Sequence, residues 1–282
     1  MRLRTLIAPL AALLAFALAC PSSAQGTREE TVRIPASGAT MVATVMRPPG
    51  EEKRPLVIIN HGSPADGSQR PKMERPRYPS LSSWFVSRGY VVVLPMRRGY
   101  GETGGAWAED YGRCQTPDYF GAGLQGAADI KAALDYMRGQ PYVVADRTVV
   151  VGQSAGGWAT VAFSSLNPPG VLGMVNFAGG RGGHQKMPEG GIGNCAPDNL
   201  VKAAARYGST ARVPMLWLYT QNDSFFEPAL ARRMVDAYDA AGGRAALRPL
   251  GPFGNDGHNM ASSGSGVTMW SGAVADFLAS LK

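Results

Sequence analysis

The chain of 282 residues suits one α/β domain or two small ones, and a hydrophobic content of 45% supports a sizeable core. Its formal charge of +7 is scattered without a Lys/Arg tract, which argues against a nucleic-acid binder. The 36 Gly and 21 Pro are spread along the chain without an internal repeat, which excludes repeat and low-complexity architectures and requires many closely folded loops.

In chain order, the first segment is a leader. Arg2 and Arg4 precede the apolar run "LIAPLAALLAFALA", and "PSSAQG" offers cleavage after Ala24. Residues 1–24 are expected to be a secretory signal peptide, too short and wrongly flanked for a transmembrane anchor. The mature chain, 25–282, would then be periplasmic or secreted. "ALAC" (Ala17–Cys20) loosely resembles a lipoprotein box, but Leu18 and Pro21 fit that pattern poorly, so lipidation at Cys20 is the lesser expectation. After cleavage Cys114 and Cys195 remain. In an oxidising compartment they are expected to form a disulfide, the alternative being two buried thiols.

"TVRIPA" and "TMVATVMRP" predict two antiparallel strands joined near Ser37-Gly38. "PLVIIN", "YVVVLP", "RTVVVG" and "VPMLWLYT" are apolar runs without alternation, as expected of strands covered on both faces of a parallel sheet. "VLGMVNFAG" and "AALRPLG" predict two more. Helices are expected over Tyr78–Gly89, over Asp118–Pro141 with Leu124, Ala128, Ala132 and Tyr136 on one face, and over Glu227–Gly243 with Leu230, Met234, Ala237 and Ala241. A last helix closes the chain. The alternation predicts one mostly parallel, doubly wound sheet of about eight strands, its first pair antiparallel, with helices on both faces. The loops after its strands share one edge, where sites form.

"VVVGQSAGGWAT" (Val149–Thr160) places Ser154 between Gly152 and Gly156 at a strand-to-helix junction, the nucleophile-elbow pattern. A serine hydroxyl needs a base within hydrogen-bond reach. Of three histidines, His258 in "GPFGNDGHNM" follows the last strand and can reach back over that edge, whereas His61 more naturally braces its own loop and His184 sits in a glycine-rich loop. Asp223 in "LYTQNDSFFEP" follows a strong strand and can hold the imidazole in one tautomer. Glu227 and Asp256 are reserves, read respectively as a helix start and a turn cap. The backbone N–H groups of Ser63 and Ala155 are the candidate oxyanion donors.

"NHGS", "PMRRGYGETGG", "GQSAGG", "TQND" and "GNDGH", in that order, resemble a serine hydrolase of the α/β-hydrolase superfamily. The resemblance is to the exported dienelactone-hydrolase-like group, with kinship to the catalytic domains of prolyl-oligopeptidase-type enzymes, and it covers roughly Thr31–Lys282. It implies an α/β-hydrolase fold with Ser154 as nucleophile, Asp223 as acid, His258 as base, and Ser63 and Ala155 as oxyanion donors. Dienelactone hydrolases use a cysteine nucleophile where this chain has Ser154, so their name does not give the substrate. Prolyl-oligopeptidase relatives usually carry a large extra domain, for which this chain leaves no room.

The loop holding "PMRRGYGETGG" is expected to line the site. Arg97 or Arg98 would bind a substrate carboxylate, while at least one of them braces the loop. Trp107 and Tyr111 are expected to form an aromatic wall, within a cap pinned by Cys114 and Cys195. The expected activity is hydrolysis of a small-molecule or polymer carboxylic ester through an acyl-enzyme. The alternatives are an amidase or peptidase with the same triad, or a non-catalytic binding protein on the same fold. No metal or organic cofactor is implied, since the histidines and cysteines show no ligand spacing. Oligomeric state is left open.

Overall fold

The computed structural model describes residues 26–187 and 190–281. The expected leader, with Cys20, lies outside the described residues. Eight strands form one sheet: β1 (Arg28–Ala36), β2 (Ala39–Arg47), β3 (Arg54–Asn60), β4 (Val91–Pro95), β5 (Val143–Gln153), β6 (Val171–Phe177), β9 (Met215–Thr220) and β10 (Ala245–Leu250). Two short strands, β7 (Gln185–Lys186) and β8 (Ile192–Gly193), form a separate antiparallel hairpin. The large sheet has the order β1-β2-β4-β3-β5-β6-β9-β10. β2 runs antiparallel to both of its neighbours, and every other pairing is parallel. This is the α/β-hydrolase fold.

Continuous apolar runs form the central strands because both of their faces are covered. Val57, Val92, Val149, Val175 and Leu216 face α1 (Pro79–Val86) and α6 (Val267–Ser280), where Trp84, Phe85, Trp270 and Val274 close that core. Leu56, Val91, Val150, Met174 and Trp217 face the opposite layer, built by α2 (Tyr119–Arg138), α3 (Ala155–Ser164), α4 (Pro197–Gly208) and α5 (Pro228–Ala240). Among the described residues no helix is long and apolar enough to cross a membrane.

Two helical faces differ from expectation. In α2 the buried stripe is Ala122, Gly123, Gly126, Ala127, Ile130, Ala133, Leu134 and Met137, while Ala128 is exposed and Leu124 and Tyr136 lie at its margin. The glycines explain the rotation. A Cβ on Gly126 would come within 2.6 Å of the Ala159 Cβ, so α2 and α3 approach through residues with no side chain. In α5, Tyr238 takes the buried place expected for Ala237. Helix α4 was not expected, although Pro197 at its start and Leu200, Ala203, Ala204 and Tyr207 on one face give it an amphipathic pattern.

Candidate active site

Ser154 sits between the end of β5 and the start of α3 with φ 56° and ψ −120°. Strain of that kind persists only where the surroundings enforce it. Here its N–H donates to the Phe177 carbonyl at 2.9 Å, and its own carbonyl accepts from Trp158 N–H at 2.9 Å. The flanking glycines are obligatory. A Cβ on Gly152 would overlap the Gly156 carbonyl, and one on Gly156 would overlap the Asn60 carbonyl of β3. The turn therefore lifts the Ser154 side chain above the carboxyl edge of the sheet.

The loops after β9 and β10 bring two expected partners to it. His258 Nε2 lies 2.9 Å from Ser154 Oγ, and His258 Nδ1 lies 3.0 Å and 3.2 Å from the two oxygens of Asp223. Asp223 Oδ1 also accepts from the N–H groups of Phe225 (2.8 Å) and Phe226 (2.9 Å), which fix the carboxylate before the imidazole meets it. Such an arrangement directs the Nδ1 proton to Asp223 and leaves Nε2 as acceptor for the hydroxyl. The Phe225 ring stacks on His258 at 4.0 Å between centroids and also on His184 at 4.7 Å. Asp256 caps the turn before His258, accepting from its N–H at 3.0 Å, and Glu227 sits at the start of α5.

Ala155 is the first residue of α3, so its N–H is one of the donors that a helix start leaves without an internal partner. On the loop after β3, the Gly62 N–H is taken by Tyr78 Oη at 3.1 Å. Tyr78 in turn donates to Gln153 Oε1 at 2.7 Å, and Gln153 Nε2 donates to the His258 carbonyl at 3.1 Å. One hydrogen-bonded chain thus ties together the loop bearing Ser63, the residue before Ser154, and the loop bearing His258.

Arg97 does not line the site. It is fully buried, its guanidinium pairs with Glu109, and its Nη1 donates to the His61 carbonyl at 2.7 Å. Desolvating a guanidinium is costly unless a carboxylate compensates, which fixes it as a brace. Arg98 pairs with Asp129 at 2.6 Å and is likewise a brace. The arginines that line the cavity beside Ser154 are Arg70 and Arg181, and Arg181 also pairs with Glu109. Sequence reading passed over Arg181 and Glu109, because 72 residues separate them and only their burial marks them.

His61 braces its loop. Its Nδ1 donates to the Gly62 carbonyl at 2.7 Å, and its Nε2 accepts from Arg97 N–H at 3.1 Å. Burial, and secondarily the Arg97 charge, push its pKa down to about 3. A folded-state pKa below the unfolded value of 6.5 contributes stability that is fully present above pH 6.5 and lost as pH falls toward 3. The urea midpoint is therefore expected to drop as pH is lowered from 6.5 to about 5.5, above the ordinary glutamate value of 4.5, and His61→Gln is expected to flatten that slope.

Cys114 and Cys195 are bonded, with Cα atoms 4.8 Å apart. The bond closes a separation of 81 residues, worth roughly 4 kcal/mol by loop entropy. Beside it, Tyr119 Oη donates to the Cys195 carbonyl at 2.6 Å. Two cavities meet at Ser154. The first, about 60 Å³, is lined by Ser63, Ala155, Trp107, Tyr111, Arg70 and Arg181 among others. The second, about 390 Å³, is lined by His258, Tyr78, Met73, Pro76 and Asn259 among others.

Residues 76–169 match the prolyl oligopeptidase family. Dipeptidyl-peptidase 5 of Porphyromonas gingivalis is 30% identical over 145 residues, which is 50% of this chain and only 20% of that relative's length. An acetyl xylan esterase from Paenibacillus sp. R4 superposes with a TM-score of 0.64 at 15% identity, covering 98% of this chain and 90% of the esterase. A Klebsiella pneumoniae protein assigned to the dienelactone hydrolases superposes with a TM-score of 0.58 at 17% identity, covering 89% of this chain and 98% of that one.

Proposed function

We infer that this chain, an α/β-hydrolase related to the prolyl oligopeptidase family of serine hydrolases, is an exported enzyme that cleaves carboxylic esters. The observation that carries the reading is the unbroken series Ser154 Oγ, His258 and Asp223, with contacts of 2.9 and 3.0 Å. His258 removes the Ser154 proton as Oγ adds to the ester carbonyl, and Asp223 stabilises the imidazolium. The oxyanion rests on the Ser63 and Ala155 amides. Collapse expels the alkoxide, which takes the proton from His258, and leaves the acyl on Ser154. Water then adds through the same base, and the acid departs. The Cys114–Cys195 bond supports export, since such cross-links persist in oxidising compartments.

Amide hydrolysis by the same residues is the second reading, favoured by the match of residues 76–169 to a peptidase family. Against it, the cavity beside Ala155 is lined by two arginines and no carboxylate, so a peptide's free ammonium there would meet like charge. Comparing kcat/KM for an ester with that for its matched anilide decides the order. The ester is expected to be faster by at least about a hundredfold, and a faster anilide would install the peptidase reading instead.

A further inference from the structure

The two cavities at Ser154 differ in what reaches them. His258, which must protonate the departing alkoxide, lines only the larger one. The leaving group therefore belongs in that cavity, and the acyl group belongs in the smaller one beside Ala155. The charged side chains lining that smaller cavity are Arg70 and Arg181.

Behind the wall the charges do not balance. Glu109 is fully buried and receives both Arg97 and Arg181, while Tyr100 Oη donates to the same carboxylate at 3.2 Å. One carboxylate thus serves two guanidiniums and a hydroxyl, leaving a buried positive charge over. Arg181 is 3% exposed, lines the cavity, and has an Nε with no hydrogen-bond partner. A desolvated cation with spare donors is costly in the free protein, and an anion brought by a ligand would offset that cost. Arg70 adds a second cation at the rim, its guanidinium 3.6 Å from the centre of the Trp107 ring, with Arg181 5.8 Å from the same centre.

We propose that the smaller cavity is an acyl site for a short acyl group ending in a carboxylate, so that the preferred substrates are half-esters of dicarboxylic acids, with Arg181 as the principal specificity determinant and Arg70 as its auxiliary. The inference rests on the ester-hydrolase reading and deepens it. The terminal carboxylate supplies the missing counter-charge to Arg181, while the carbonyl at the other end of the short acyl chain lies between Ser154 and the amides of Ser63 and Ala155. The neutral leaving group occupies the larger cavity.

The test compares monoethyl succinate with ethyl 4-methylpentanoate, its uncharged shape match, in the native enzyme, Arg181→Gln and Arg70→Gln, with 4-nitrophenyl acetate as a general ester. The native enzyme is expected to favour the charged ester by roughly 10- to 100-fold in kcat/KM, the range set by hydrogen bonds to a charged group. Arg181→Gln is expected to remove most of that preference and Arg70→Gln a smaller part. Equal rates for the two ethyl esters in the native enzyme, or a preference untouched by both substitutions, would overturn the assignment. If Arg181→Gln does not fold, the native preference and its reduction in Arg70→Gln still decide. Hydrolysis of 4-nitrophenyl acetate without preference for the half-ester would sink this inference alone, whereas hydrolysis of none of the three esters would remove the ester reading with it.

Discussion

Ser154→Ala is expected to lower kcat for any ester substrate by about 10⁴- to 10⁶-fold, while its urea midpoint stays close to that of the native protein. The expected loss is so large because, on the proposed mechanism, the hydroxyl forms the covalent bond to the acyl group and no neighbouring side chain takes over that step. His258→Ala is expected to fall into the same range, and the double variant is expected to be no worse than either single one, since the two groups act as a unit. Labelling by a fluorophosphonate gives the cheap readout: strong in the native protein and absent in Ser154→Ala. An unlabelled native protein would instead favour a binding module that has kept the fold without the chemistry.

The largest effect on stability is expected at Glu109. Its carboxylate is held far below the ordinary range: burial alone would raise its pKa, but Arg181 and Arg97 outweigh that and bring it to about 2. Glu109→Ala leaves two buried guanidiniums facing each other without a counter-charge. The cost of breaking such a pair is about 3–5 kcal/mol, a large share of the stability of an ordinary domain. Urea denaturation of Glu109→Ala should show that loss, and a midpoint close to the native value would mean that solvent or another anion already neutralises the arginines. Protonation acts in the same direction. Because the folded-state pKa is depressed, the contribution of Glu109 is present above the unfolded value of 4.5 and is lost as pH falls toward 2.

The sheet was legible because its central strands β3, β4, β5 and β9 carry continuous apolar runs bounded by turn residues, and the choice of Ser154, Asp223 and His258 follows from which loops share the carboxyl edge. The face of α2 was not legible. Ranking by hydrophobicity selects Leu124 and Tyr136, whereas the helix packs through Gly123 and Gly126, whose value lies in what they lack. Helix α4 was hidden by the glycine-rich run ahead of it, which made the whole stretch read as loop. Arg97 was misplaced for a different reason. A charged side chain in a loop is ordinarily exposed, and nothing in its own neighbourhood announces a carboxylate twelve positions on and a second arginine beyond it. Only the folded chain shows that Arg97 faces inward and that Arg181 faces the cavity.

The cross-link between Cys114 and Cys195 encloses Ser154 but neither Asp223 nor His258. On the proposed mechanism the reactive alcohol is thus carried on a covalently closed loop, whereas its two helpers ride on the open remainder of the chain. β10, which leads to His258, is the outermost strand on that side and is largely solvent-facing. Fraying that starts there would withdraw the imidazole while the ring around the alcohol held its shape. Loss of turnover would then precede melting, and the last strand, not the interior, would set the temperature at which the molecule falls silent.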